Sequence, residues 1–208
     1  MDSPDLLAKQ YTLSHAPGFG ERLLPALRPR LPPAPARLLE VGCGRGGVAR
    51  ALAAAGYDVV AVDASPSGIA TARAGGGPVR FEVASALQPL RDLAAGVDAV
   101  LAMDVIEHLP APLTFLRHAR EALRPGGRIV LSTPYHGYWK NLAISLAGGW
   151  DRHWQVLREG GHIKFFSAAS LRESLARSGF DGIQFDYHGR LPGLWKTMIV
   201  SGERACRD

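Results

Sequence analysis

Short apolar runs alternate with stretches whose apolar residues recur every three or four positions. The pattern is clearest between residues 37 and 132. Residues 37–41 form an apolar run that stops at glycines, and residues 47–55 have helical composition ending at Gly56. Residues 58–62 are β-rich and stop at Asp63. Residues 66–74 read as a helix, with Ser65 as N-cap and Gly75 as stop. Residues 79–83 alternate apolar and polar, as a half-buried strand does, and residues 97–102 form a further apolar run. A helix over 111–123 places Leu113, Leu116, Ala119 and Leu123 among its apolar positions. Pro125-Gly126-Gly127 then turns the chain into a fifth strand over 128–132.

Beyond Thr133 the rhythm changes. Residues 137–147 predict an amphipathic helix with Trp139, Leu142, Ala143 and Leu146 on one stripe, ended by Gly148-Gly149. At that spacing the stripe reads as packing onto the sheet. Residues 167–178 predict another helix, capped by Ser167 and stopped by Gly179. Residues 182–188 and 195–201 read as two closing strands joined by a short hairpin connection. At the other end, residues 4–28 read as helical with a break over 15–18, followed by a proline-rich connector over 29–35.

Strands and helices alternating in this way predict an α/β fold. It is a Rossmann-like, doubly wound, seven-stranded and mostly parallel sheet with an antiparallel closing hairpin, in three α/β/α layers. The expected organisation is one domain over 1–208. Residues 1–36 form a helical lead-in, 37–135 a cofactor-binding core, 136–166 an acceptor lid, and 167–208 a closing helix and hairpin.

Composition narrows the partners. With 47% hydrophobic and 21% charged residues, the chain has the makeup of a folded globular protein. Two cysteines, Cys43 in a glycine loop and Cys206 in a polar tail, argue against a structural disulfide. No apolar run reaches the length that spans a bilayer, and the first residues lack a basic-then-apolar signal pattern. These features lead us to expect a cytoplasmic protein. The net charge of +5 raises the question of nucleic acid, but the arginines are scattered without a basic cluster, so none is expected. The expected partner is a small-molecule acceptor.

The segment Glu40-Val41-Gly42-Cys43-Gly44-Arg45-Gly46-Gly47 leaves a strand and opens a helix, the context a nucleotide loop needs. Asp63, ending the second strand, is placed to accept the hydroxyls of a ribose. Three readings compete: S-adenosylmethionine, a dinucleotide such as NAD or FAD, and a structural turn. Glu40 separates them in part. A carboxylate beside the loop repels a pyrophosphate and suits a cationic amino-acid moiety.

Four segments carry a resemblance. They are the loop from Glu40 with Asp63, the stretch Met103-Asp104-Val105-Ile106-Glu107-His108-Leu109-Pro110, the stretch from Leu123 to Pro134, and Gly161-His162-Ile163-Lys164-Phe165-Phe166-Ser167. They resemble class I S-adenosylmethionine-dependent methyltransferases, in particular the ubiquinone-biosynthesis O-methyltransferase-like branch, and the match is strongest over residues 37–135. The resemblance implies that Gly42 and Gly44 line the methionine and ribose portion and that Asp63 holds the ribose. It implies that Ala64 packs on adenine, that Ser85 and Ala86 border its edge, and that Met103 offers a backbone carbonyl to the amino group. Many relatives carry Asp where this chain has Ser85, so a charge-assisted contact is replaced by a hydroxyl.

Methyl transfer to a hydroxyl requires alignment and removal of a proton. Candidates lie past strands four and five: His108, His136 and His162 as base or orienting groups. Asp104, Glu107 and His108 match, with one conservative change, a Glu-x-x-Glu-His pattern implicated in divalent-metal binding among relatives. A hard ion such as magnesium is therefore one reading, and a structural role is the other. Tyr135, Tyr138, Trp139, Lys140, His153 and Trp154 add rings and charges that suit a flat acceptor. The expected reaction is O-methylation of a phenolic, quinol-like or other hydroxylated metabolite. Carbon or nitrogen methylation and a non-catalytic cofactor-binding module are the alternatives. A nicotinamide reductase lacks its Tyr-x-x-x-Lys pair, since Trp139 stands four residues after Tyr135.

Overall fold

The computed structural model describes residues 19–153 and 160–205. Seven strands form one sheet: β1 (Arg37–Val41), β2 (Asp58–Asp63), β3 (Val79–Val83), β4 (Val97–Met103), β5 (Leu123–Pro134), β6 (Phe180–His188) and β7 (Thr197–Arg204). Their order is β3-β2-β1-β4-β5-β7-β6. The β1–β2, β1–β4, β2–β3 and β4–β5 pairs are parallel. β7 runs antiparallel to both β5 and β6. The strand order expected for a doubly wound sheet with a closing hairpin is thus present.

Strands buried on both faces explain the near-continuous apolar runs. On β1, Leu39 faces one core layer and Leu38 the other. The first layer packs α4 (Pro112–Ala122) and α7 (Ala168–Arg177) through Phe115, Leu116, Leu171 and Leu175. The opposite layer packs α1 (Phe19–Leu27), α2 (Gly47–Ala54) and α3 (Pro66–Ala74) through Leu27, Leu52 and Ile69. Ser65 caps α3 by accepting from the Gly68 N–H at 3.1 Å. Ser167 and Ser170 form a reciprocal capping box on α7. α5 (Tyr138–Leu146) and the single turn α6 (Trp150–His153) lie between β5 and α7.

Two expectations are corrected. The fifth strand begins at Leu123, not 128, because Leu123 pairs with Val97 before the Pro-Gly-Gly irregularity interrupts the register. The stripe assigned to α5 is not its packed face. Lys140 and Ile144 are buried, whereas Trp139 is 66% and Leu146 80% exposed. The Lys140 ammonium donates to the Tyr135 carbonyl at 2.6 Å. The helix expected over residues 4–18, Trp154 and Cys206 lie outside the described residues.

The chain switches direction across the sheet between β1 and β4, so a crevice opens at the carboxyl ends of these strands. The loop after β1 and the turn after β4 meet there. A Cβ on Gly42, at φ +75, would lie 2.3 Å from Val105 Cγ2. Only glycine fits at that contact. No described helix is long and apolar enough to cross a membrane.

Candidate functional site

The cofactor side is built around two buried carboxylates. Glu40, near the end of β1, is 2% exposed, and its Oε2 has no hydrogen-bond partner. Burial, and next to it the Asp63 carboxylate, push Glu40 up to about 8. A buried acid without a full set of partners beside a ligand loop is a candidate receptor for a cation. Asp63 ends β2. Its Oδ2 accepts from the Gly44 N–H at 2.9 Å and its Oδ1 from the Ser65 N–H at 2.8 Å. It therefore ties the glycine loop to the start of α3, a role the sequence did not reveal. Each oxygen keeps acceptor capacity for a further donor.

The remaining cofactor candidates line the same end of the sheet. Gly42 and Gly44 adopt left-handed backbone. Ala86 and Met103 are buried, and Ala64 and Ser85 are half-buried. The Ser85 hydroxyl accepts from the Leu87 N–H at 3.1 Å, so its oxygen is partly engaged in holding its own turn. Cys43 is buried within the loop, and burial pushes its thiol up, away from reactivity.

The acceptor side grows from the turn after β4. Asp104 has φ 52, uncommon outside glycine. Ser132 holds it there: the Ser132 hydroxyl donates to Asp104 Oδ1 at 2.7 Å, and the Asp104 N–H donates to the Ser132 carbonyl at 3.1 Å. Glu107 is 1% exposed. Its Oε2 accepts from the Thr133 hydroxyl at 3.1 Å, while Oε1 has no hydrogen-bond partner. Burial first, then the Asp104 carboxylate, push Glu107 well above the usual carboxylate range.

The chain returns to this point after α6. The Ile163 and Lys164 N–H groups donate to the Glu107 carbonyl at 2.9 and 3.0 Å. His162 Nε2 thereby lies 4.0 Å from Glu107 Oε1, and the His162 ring meets His108 edge-on at 4.8 Å. His108 Nδ1 contacts the carbonyls of Gly160 and Gly161 at 2.9 and 3.1 Å. Carbonyls only accept, so Nδ1 carries the proton and the lone pair of the neutral ring sits on Nε2.

Glu107, His108 and His162 present ligand atoms all within 4.8 Å of one another. This grouping differs from the set Asp104, Glu107 and His108 expected from sequence. Asp104 is held to Ser132 and falls outside this group, and His162 enters it. One carboxylate and two imidazoles, one donating its other N–H to backbone carbonyls, fit a divalent ion. Two ring nitrogens suit ions that accept imidazole better than magnesium.

His136, the third candidate base, packs edge-on against Phe165 at 4.5 Å. Burial and then Lys140 push it down to about 4, so it is neutral near pH 7. An aromatic wall that the sequence did not predict stands beside it. Tyr187 and Trp195 stack at 4.7 Å, and the Tyr135 ring meets both edge-on. These residues come from β5, β6 and the loop before β7, so only sheet pairing unites them.

A doubly wound sheet whose switch point carries a glycine loop, an acidic residue on β2 and a buried acid on β1 defines a nucleoside-cofactor fold of the class I methyltransferase type. The profile of the methyltransferase domain family matches residues 13–184, and the chain belongs to that family. It is 35% identical over 153 residues to the ubiquinone biosynthesis O-methyltransferase of Cereibacter sphaeroides, an alignment covering 71% of this chain and 61% of that protein. The chain thus spans about three-fifths of that relative's length. A solved S-adenosylmethionine-dependent methyltransferase from Mesorhizobium loti superposes with a TM-score of 0.69 at 22% identity, covering 88% of this chain and 97% of that one. The magnesium protoporphyrin IX methyltransferase of Synechocystis PCC 6803, solved with bound SAH, gives a TM-score of 0.67 at 19% identity, covering 97% and 86%.

Proposed function

We propose that this chain transfers the methyl group of S-adenosylmethionine to a hydroxyl of a small phenolic or quinol-like acceptor. The observation that carries the cofactor reading is Glu40: a buried carboxylate with an unpartnered oxygen beside the glycine loop. In its ionised form, which an ammonium favours, it attracts the methionine moiety and would repel a pyrophosphate. Asp63 accepts the ribose hydroxyls, Gly42 and Gly44 allow close backbone approach, and Ala64, Ser85 and Ala86 border the adenine. Met103 supplies a carbonyl to the ammonium.

When bound, the cofactor supplies an activated methyl group, whose bond to sulfur breaks as the bond to the acceptor oxygen forms. The chain's task is to align the acceptor and remove its proton. The Gly160 and Gly161 carbonyls hold the His108 Nδ1 proton, which leaves Nε2 as the basic atom. His108 Nε2 takes the hydroxyl proton, and His162, packed edge-on against the His108 ring, orients the acceptor. His136, neutral at physiological pH, supplies a polar edge without charge. The likeness to an O-methyltransferase of ubiquinone biosynthesis supports oxygen as the methylated atom and a flat ring as its carrier.

The same cluster fits a divalent ion held by Glu107, His108 and His162, which would acidify the acceptor hydroxyl. Residues 136–153 and 160–166 act as a lid over the acceptor, anchored where Ile163 and Lys164 bond to Glu107. The test is methyl-labelled S-adenosylmethionine incubated with catechol, a quinol and an amine of similar size. Label on the oxygen of the first two supports the reading. Label on the amine alone, or cofactor binding without transfer to any small molecule, refutes it.

A further inference from the structure

Lys140 is only 8% exposed, yet among the described residues no carboxylate pairs with it. Its Nζ donates to the Tyr135 carbonyl, one acceptor for three donors. A buried ammonium in this state is costly unless an anion joins it. The groups facing it do not supply one. Arg190, in the connection between β6 and β7, is a like charge, and His136 is a neutral ring. The next group along, His153 on α6, is a base.

The position of this unmatched cation matters. Tyr135, whose carbonyl holds Lys140, turns its ring into the wall formed with Tyr187 and Trp195. His136, between Tyr135 and α5, packs on Phe165, in the segment that carries His162 to Glu107. The ammonium thus lies on the backbone that carries the Tyr135 ring of the aromatic wall, at the end of the sheet that holds the proton-accepting cluster.

We propose that Lys140, assisted by Arg190, forms a subsite for an anionic substituent on the acceptor ring, a carboxylate in the first instance. The acceptor class is then a hydroxylated aromatic acid rather than a neutral phenol. This rests on the phenolic-acceptor reading above. The ring lies on the aromatic wall, its hydroxyl faces His108, and its carboxylate completes the hydrogen bonding of Nζ. Arg190, exposed at the rim, strengthens the field that draws the anion in.

The test uses protein saturated with S-adenosylhomocysteine and two probes, 3,4-dihydroxybenzoate and catechol, titrated by calorimetry at low and high salt. The carboxylated probe should bind at least about tenfold more tightly, with the preference shrinking as salt rises. Lys140→Met should bring the ratio of affinities close to one, and Arg190→Gln should lower it part of the way. Thermal melting checks that each variant is folded. If Lys140→Met does not fold, Arg190→Gln at its exposed position carries the test alone. Equal affinities in the unaltered protein overturn the anionic subsite and leave the phenolic reading standing. Retention of the full ratio in every folded variant also overturns it. Binding of neither probe by protein that still binds S-adenosylhomocysteine refutes the phenolic reading and the subsite with it.

Discussion

Binding of S-adenosylmethionine should expel a proton from Glu40. Burial and the adjacent Asp63 carboxylate hold Glu40 at about 8, so roughly nine in ten molecules carry its proton at pH 7. An ammonium placed against the unpartnered Oε2 favours the ionised form. If it returns Glu40 to the ordinary carboxylate range, about 0.9 proton leaves per cofactor bound at pH 7, and only about 0.1 at pH 9. Calorimetry in buffers of different ionisation enthalpy reads this number as a slope. S-adenosylhomocysteine, which keeps the ammonium, should give the same slope. Glu40→Gln keeps the shape and removes the titration, so the slope should vanish and affinity should fall about tenfold or more. The same shift has a stability consequence. Because the folded value is raised, the stabilisation is complete below about 4.5 and is lost as pH rises through about 8. The full span is on the order of 5 kcal/mol, and the glutamine variant should lack this slope of stability against pH. A zero calorimetric slope in the unaltered protein, with unchanged affinity in Glu40→Gln, would refute the assignment.

Four further outcomes are expected. Asp63→Ala loses the bonds to the Gly44 and Ser65 N–H groups and should bind S-adenosylmethionine at least about tenfold more weakly, with NAD showing no heat in either protein. Gly42→Ala places a methyl group against Val105 at a left-handed φ and should lower the melting temperature, read by calorimetry or circular dichroism. Trp139→Ala removes a ring that is mostly exposed, so stability should change by no more than about 0.5 kcal/mol while turnover falls; His162→Ala should likewise spare cofactor affinity and cut turnover. Excess chelator should abolish turnover if Glu107, His108 and His162 act through an ion, and restoration by zinc in preference to magnesium would match the donor set; full activity in chelator leaves these residues as structural or as direct acid–base groups.

The expectation for Trp139 shows where sequence reasoning reached its limit. Apolar residues at helical spacing in α5 pointed to a stripe packed on the sheet, as such stripes usually are. The helix instead buries Lys140 and Ile144, and the Lys140 ammonium bonds to the Tyr135 carbonyl. The grouping around Glu107 was out of reach for a similar reason. Asp104 and Glu107 share a turn in sequence, but Ser132 on the neighbouring strand claims Asp104, and His162 arrives from far along the chain.

What the sequence determined by itself is local and periodic. Alternating apolar runs and helical stretches specified the order of strands and helices, since each element must bury a face of known period. Caps such as Ser65 and Ser167 were legible because a hydroxyl one residue before a helix satisfies an N–H that no other group in that turn can reach. The glycine loop with Glu40 and Asp63 was legible because its parts follow directly on strand ends. Only the tertiary structure decided what depends on distant segments meeting. That includes the unpartnered oxygens of Glu40 and Glu107, the approach of His162 to His108, the wall of Tyr135, Tyr187 and Trp195, and the burial of Lys140. Burial and partner loss are properties of the packed chain, and no spacing along a sequence encodes which carboxylate will be left without a donor.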